Sequence, residues 1–204
     1  MSVNWNTELV EQLDWHWRFI ARPRLDSLSD DEYFWEPVPD CWSIRPSTSI
    51  DPAAPVASAP LWGTGPFRME LAEGDPDPAP VTTVAWRLAH IIVEVLGERV
   101  HSHFRGPDVA LSTFPFAGTA GEALAQLDTG YERWIEGVKS LGDAGLARAC
   151  GPSEGPFAEA PLAALVLHIN REMLHHNAEV MLLRDLYRVS GGGSLPDPAS
   201  TSGA

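Results

Sequence analysis

His90, Glu172 and His176 are the three side chains whose types and spacing could hold a divalent ion. Glu172 and His176 stand four apart in Leu167-His168-Ile169-Asn170-Arg171-Glu172-Met173-Leu174-His175-His176-Asn177-Ala178-Glu179. On a helix that spacing stacks a carboxylate and an imidazole on one face, as helical H-x-x-x-H pairs do around zinc. Leu162, Leu165, Ile169, Met173, Val180 and Leu183 cluster to one side of the same helix. Glu172 falls at the edge of that apolar arc and His176 inside it. A carboxylate in an apolar seam is costly unless it is paired or ligates a metal. One helix supplies two ligands, and His90, within the otherwise apolar Leu88-Ala89-His90-Ile91-Ile92-Val93, is the natural third. Each residue has a plainer reading. A single His among Ile and Leu is commonly a hydrogen-bonded core residue, and Glu172 with His176 makes an ordinary buried ion pair. Their joint occurrence on two core-facing helices favours a metal.

Other reactive side chains have weaker claims. His168, one turn before Glu172, either orients it or sits at the surface, while His175 is expected to point sideways. His101 and His103, in His-Ser-His-Phe-Arg-Gly-Pro, are expected as solvated loop residues, and nothing decides a role for His16. Trp35, Trp42 and Trp86 either wall the site or pack the core. Cys41 and Cys150 are the only cysteines, far apart and outside any CxxC, which fits reduced thiols. No G-x-S-x-G supports a serine hydrolase, and no glycine-rich phosphate loop is present.

The elements that would position these groups are helices. Leu9, Leu13, Trp17 and Ile20 put a first helix over about 6–21, ended or bent by Pro23. Ser29-Asp30-Asp31-Glu32 is an S-x-x-E capping box opening a short second piece. From Glu36 to Pro80 lie ten of the 18 prolines, so no long helix forms there. Trp42 to Arg45 and Pro66 to Leu71 read as short extended pieces, able to make a small hairpin. The whole stretch reads as a lid or side wall. A second long helix is expected from 81–83 to about 98, a third from the Thr119-x-x-Glu122 box through Val138, and a fourth from Pro161 to about 188. Residues 190–204, rich in Gly, Ser and Pro, are expected to be a disordered tail. The expected fold is therefore an all-α four-helix bundle over residues 1–189, with a long proline-rich insertion between its first and second long helices.

With 28 acidic and 14 basic side chains, the net charge is −14, and Lys139 is the single lysine. That balance opposes binding to nucleic acid or to an anionic membrane surface. It leaves small-molecule chemistry as the starting expectation. The N-terminus lacks the basic and apolar regions of a signal peptide, and no apolar run approaches the roughly 20 residues of a membrane span. A cytoplasmic protein is expected.

Three motifs together resemble the DinB-like (damage-inducible) superfamily of four-helix bundles, relatives of the mycothiol-dependent maleylpyruvate isomerases. Leu25-x-x-Leu28-x-x-Asp31-Glu32-x-x-x-Trp35-x-Pro37 is similar to that superfamily's first inter-helix segment. Trp86-Arg87-Leu88-Ala89-His90 is similar to its second-helix ligand motif, and His175-His176-Asn177-Ala178-Glu179 to its H-H-x-x-[QE] ending. The resemblance spans about residues 5–188. Where much of the superfamily carries H-x-x-x-H, this chain has Glu172 and His176, as the isomerase branch resembles in using a glutamate. The proline-rich insertion is longer than a minimal member needs, and the isomerases' C-terminal domain has no counterpart. What the resemblance implies is a divalent ion, zinc or nickel, on His90, Glu172 and His176. It also implies a low-molecular-weight thiol such as mycothiol, S-transfer or isomerisation on a small electrophile, and a possible homodimer. The alternative is a non-catalytic bundle that binds a metal or a small ligand.

Overall fold

Asn4 starts the first helix, its side-chain oxygen accepting the Thr7 amide at 3.2 Å. In the computed structural model, which describes residues 3–48, 57–74, 76–193 and 195, α1 (Trp5–His16) runs into a π turn, Trp17–Ala21, and then α2 (Arg22–Arg24). Pro23 was expected to end or bend the helix; it lies in α2, which stops at Arg24, one residue later. The wide turn just before it relieves the clash a proline ring makes with the preceding turn. The same π turn resets the face: Val10, Leu13, Trp17 and Ala21 are buried, whereas Ile20, expected on that face, is exposed.

Ser29 opens α3 (Asp30–Tyr33) by accepting the Glu32 amide at 3.2 Å. Glu32 does not return the favour of a full capping box; its carboxylate is taken by Arg184 at 2.6 and 3.1 Å. Three short strands follow: β1 (Ile44–Pro46), β2 (Leu61–Trp62) and β3 (Phe67–Glu70). The expected extended pieces pair antiparallel with Ile44 opposite Met69, and β2 adds to the other edge of β3. Then come α4 (Val84–His90), a π segment Ile91–Gly97, α5 (Glu98–Phe104), α6 (Ala120–Lys139), α7 (Gly142–Leu146), a 3₁₀ stretch Pro152–Phe157 and α8 (Leu162–Ser190). The chain is mostly helical. Among the described residues no helix is long and apolar enough to cross a membrane.

The second long helix was expected to stop near 98, and its helical structure continues instead to Phe104. Gly97 within it serves packing: a Cβ there would lie 2.7 Å from Val109 Cγ1. The stop comes at Arg105, left-handed at φ 57°, with Gly106 N–H closing on Val100 O. His101 and His103 are thus helical. The Thr119 cap and the Pro161 start behave as read: Glu122 N–H donates to Thr119 Oγ1, and α8 begins at Leu162. Of the expected tail, residue 194 and residues 196–204 lie outside the described residues; Gly191 and Gly192 form a turn.

The described residues divide into two compact units. The first takes in Met1–Asp26, His90–Ala110 and Ala125–Ala178. Its core holds Leu13, Ile91, Leu96, Leu127, Trp134, Leu162, Ile169 and Met173. Trp17 stacks on Tyr131 with ring centroids 4.4 Å apart, and the Tyr131 hydroxyl donates to Asp14 at 2.8 Å. Asn6 and Asn170 bind the Val138 and Leu9 carbonyls, satisfying polar groups carried into the core.

The second unit takes in Ser27–Ala89, Leu111–Leu124 and Glu179–Ala204. Its polar centre is Glu70, fully buried, which accepts from the Ser43 amide and from Arg45 Nε, both at 2.8 Å. Arg45 also engages Glu36 and donates to the Cys41 carbonyl. A buried carboxylate is tolerable with such donors around it. Cys41 is fully buried, its thiol donating to Val38 O, and burial pushes that thiol up. Trp42 and Trp86 pack at 6.2 Å, and Trp86 Nε1 donates to Glu70 O.

Candidate metal centre

His90 is the last residue of α4, and Glu172 and His176 lie one turn apart on α8; all three belong to the first unit. The Nε2 atoms of His90 and His176 face each other at 3.2 Å, the rings at 89°. Glu172 Oε2 lies 3.3 Å from the same His176 Nε2. His90 and Glu172 therefore both converge on one nitrogen. His176 is buried, whereas His90 and Glu172 are half-buried.

The chemistry of these contacts fits an ion. Two ligand atoms each about 2.05 Å from one zinc at a tetrahedral angle stand roughly 3.3 Å apart. The separations from His176 to His90 and to Glu172 each match such an edge; the group of three whose ligand atoms all lie within 4.8 Å of one another is His175, His176 and Glu179. The other chemical solution for facing ring nitrogens has one carry a hydrogen and the other a lone pair.

Glu94, four residues after His90, places Oε2 2.8 Å from His90 Nδ1. A carboxylate there favours the tautomer with its proton on Nδ1 and its lone pair on Nε2, the form that ligates. Sequence reasoning missed Glu94, although the i, i+4 spacing from His90 was there to be read.

On the Glu172 side, Arg171 donates to both Glu172 Oε1 and His168 Nδ1, and His168 Nδ1 lies 3.4 Å from Glu172 Oε1. Burial pushes the Glu172 carboxyl up, but His168, Arg171 and His176 together pull it below its ordinary value. It stands ready as an anionic ligand. His168 is partly exposed, and its Nδ1 lies within 3.4 Å of Glu172 Oε1.

A cavity of about 310 Å³ adjoins these groups, lined by His90, Glu94, Glu98, Arg99, His168 and Glu172 among others. Burial raises the Glu98 carboxyl, and Arg99 beside it acts in the opposite direction. A second cavity of about 720 Å³ shares Arg99 and His168 and adds Pro156, Phe157, Ala164 and Leu165. Trp35, Trp42 and Trp86 line neither of these two cavities and are buried, which fits the core-packing alternative of the two considered for them. His103 is also not a solvated loop residue. Its side chain is 3% exposed and its Nε2 lies 2.9 Å from Glu154 Oε1, because the helix carries it inward.

Along α8 itself, ligand atoms of His175, His176 and Glu179 lie within 4.8 Å of one another. His175 is exposed, and Glu179 is engaged by Arg87 Nε at 3.1 Å.

The sequence model of the DinB superfamily matches residues 12–180, and the chain belongs to that superfamily. No curated protein and no solved structure matches it.

Proposed function

We propose that this protein is a divalent-metal-dependent enzyme of a four-helix-bundle fold, with His90, Glu172 and His176 as the metal ligands. The observation that carries this reading is the meeting of His90 Nε2 and Glu172 Oε2 at His176 Nε2, at 3.2 and 3.3 Å. Membership of the DinB superfamily supports it. The bundle domain covers residues 1–189, with a tail from 190, and the protein works in the cytoplasm. The net charge of −14 supports a small-molecule substrate over nucleic acid or an anionic membrane.

The reaction we assign is S-transfer or isomerisation with a low-molecular-weight thiol, mycothiol or similar, acting on a small electrophile. Bound zinc or nickel would supply Lewis acidity that favours the thiolate over the thiol. The protein's own groups do the rest. Glu94 keeps the His90 proton on Nδ1, and Arg171 fixes the Glu172 carboxylate. Glu98, on the same cavity wall, is the carboxylate positioned to take the thiol proton. The adjoining cavity, with Pro156, Phe157, Ala164 and Leu165, suits the apolar body of an electrophile.

The test is thiol consumption by the metal-loaded protein against a panel of small electrophiles. Turnover that requires both ion and thiol, and disappears in His176→Ala while the fold persists, supports the reading. A fully metal-loaded protein that consumes no thiol with any electrophile leaves the non-catalytic, metal- or ligand-binding alternative in its place.

A further inference from the structure

The second unit carries a cavity of about 460 Å³ that the metal chemistry does not use, and its walls are an unusual combination. Three are aromatic, Phe34, Trp35 and Tyr187; two are carboxylates, Asp30 and Asp31, in the first turn of α3. Trp35 and Tyr187 meet at 74° with centroids 5.6 Å apart, which forms a corner of two rings. The turn after α8 closes another side. Gly192 has a φ of +79°, and a Cβ there would lie 3.1 Å from the Tyr187 ring, so only glycine fits without strain.

Nearby charge is unbalanced in one direction. Arg184 is spent on Glu32, and Asp30 accepts the Ala120 amide at 2.7 Å. Asp31 is exposed and has no cationic partner among the described residues. Trp35 is 7% exposed, and its Nε1 is buried without an acceptor among the described residues.

Aromatic faces attract cations through their quadrupoles, most of all cations whose own shell is alkyl and weakly hydrated. A bare metal ion would need several oxygen ligands at bonding distance, which rings do not provide. A quaternary ammonium group of a small molecule satisfies both wall types at once: methyls against the rings, charge toward the carboxylates. We infer that the cavity walled by Phe34, Trp35, Tyr187, Asp30 and Asp31 is a binding site for a small quaternary ammonium compound. The chain's net charge of −14 draws such cations in from solution. This site is independent of the metal reading and stands or falls separately from it.

The test titrates the full chain with choline, followed by ligand-observed NMR at fixed ionic strength. The neutral isostere 3,3-dimethylbutan-1-ol serves as comparison. Choline binds saturably, and the isostere at least about tenfold more weakly, the range expected when a desolvated cation–π contact is lost. Asp31→Asn, an exposed change, weakens choline by about three- to tenfold, and Tyr187→Ala by about tenfold, while Tyr187→Phe keeps affinity within about twofold. Three results would overturn the assignment: equal binding of choline and the isostere, no saturation below ~50 mM, or unchanged affinity in Asp31→Asn and Tyr187→Ala. Native thermal melts of each variant verify that the unit is folded.

Discussion

Replacing Glu94 with alanine removes the group that holds His90 without touching any proposed ligand. The contact is short, 2.8 Å from Oε2 to His90 Nδ1, and both side chains are partly exposed. Solvent can therefore replace some of what is lost, and the stability of the metal-free protein should change by less than about 1 kcal/mol. Metal affinity should respond more strongly. Without the carboxylate, the His90 ring rotates freely and its proton divides between Nδ1 and Nε2, so the ligating form must be selected on binding. Second-shell losses of this kind cost about 10- to 100-fold in metal affinity, or roughly 1.4–2.7 kcal/mol. Glu94→Gln keeps an acceptor oxygen and should recover at least about half of that free energy. The assay is competition for zinc against a chromophoric chelator, with thermal melts of the metal-free proteins alongside. An Ala variant within about threefold of the parent, or one as deficient as His176→Ala, would refute this positioning role.

Three further outcomes follow from particular contacts. Glu32→Ala takes from Arg184 a carboxylate that binds it through both oxygens in a largely buried setting, and should cost about 2–3 kcal/mol in urea unfolding; a loss under about 1 kcal/mol contradicts it. Gly137→Ala should destabilise by about 1–3 kcal/mol in the same assay, because its Cβ would lie 2.4 Å from the Phe104 ring. Glu179→Gln should leave zinc affinity within about threefold, since Arg87 already engages that carboxylate; a larger loss would shift the site toward His175, His176 and Glu179.

The parts of this molecule that were legible in its sequence are those governed by local chemistry. Thr119 and Ser29 announce helix starts because a side-chain oxygen must meet an orphan amide. Pro161 marks α8 because proline costs nothing in a first turn. The β1–β3 pairing was likewise suggested by two short extended runs within proline-rich sequence. What failed depended on contacts between distant residues. The helical structure passes Gly97, against which Val109 packs, and so carries His101 and His103 onward. The π turn at Trp17–Ala21 leaves no local signature, and it moved Ile20 to the surface. The three tryptophans were ambiguous because core and pocket use aromatics alike: all three are buried, and Trp35 also lines the 460 Å³ cavity. Of the candidate site, the residue types and the α8 spacing could be read, whereas the orientation of each ring could not. Glu94 was overlooked because an acidic residue in an apolar helix is as easily taken for a surface position.

The central claim is tested most directly by elemental analysis of the protein purified without a metal-affinity tag, beside Glu172→Ala and His90→Ala. About one divalent ion per chain is expected in the parent and a large loss in both variants, with helical content retained. A parent that stays metal-free after zinc and nickel are supplied, or variants that keep a full complement, would contradict it. In that case His90, Glu172 and His176 would be a hydrogen-bonded polar trio within a helical fold.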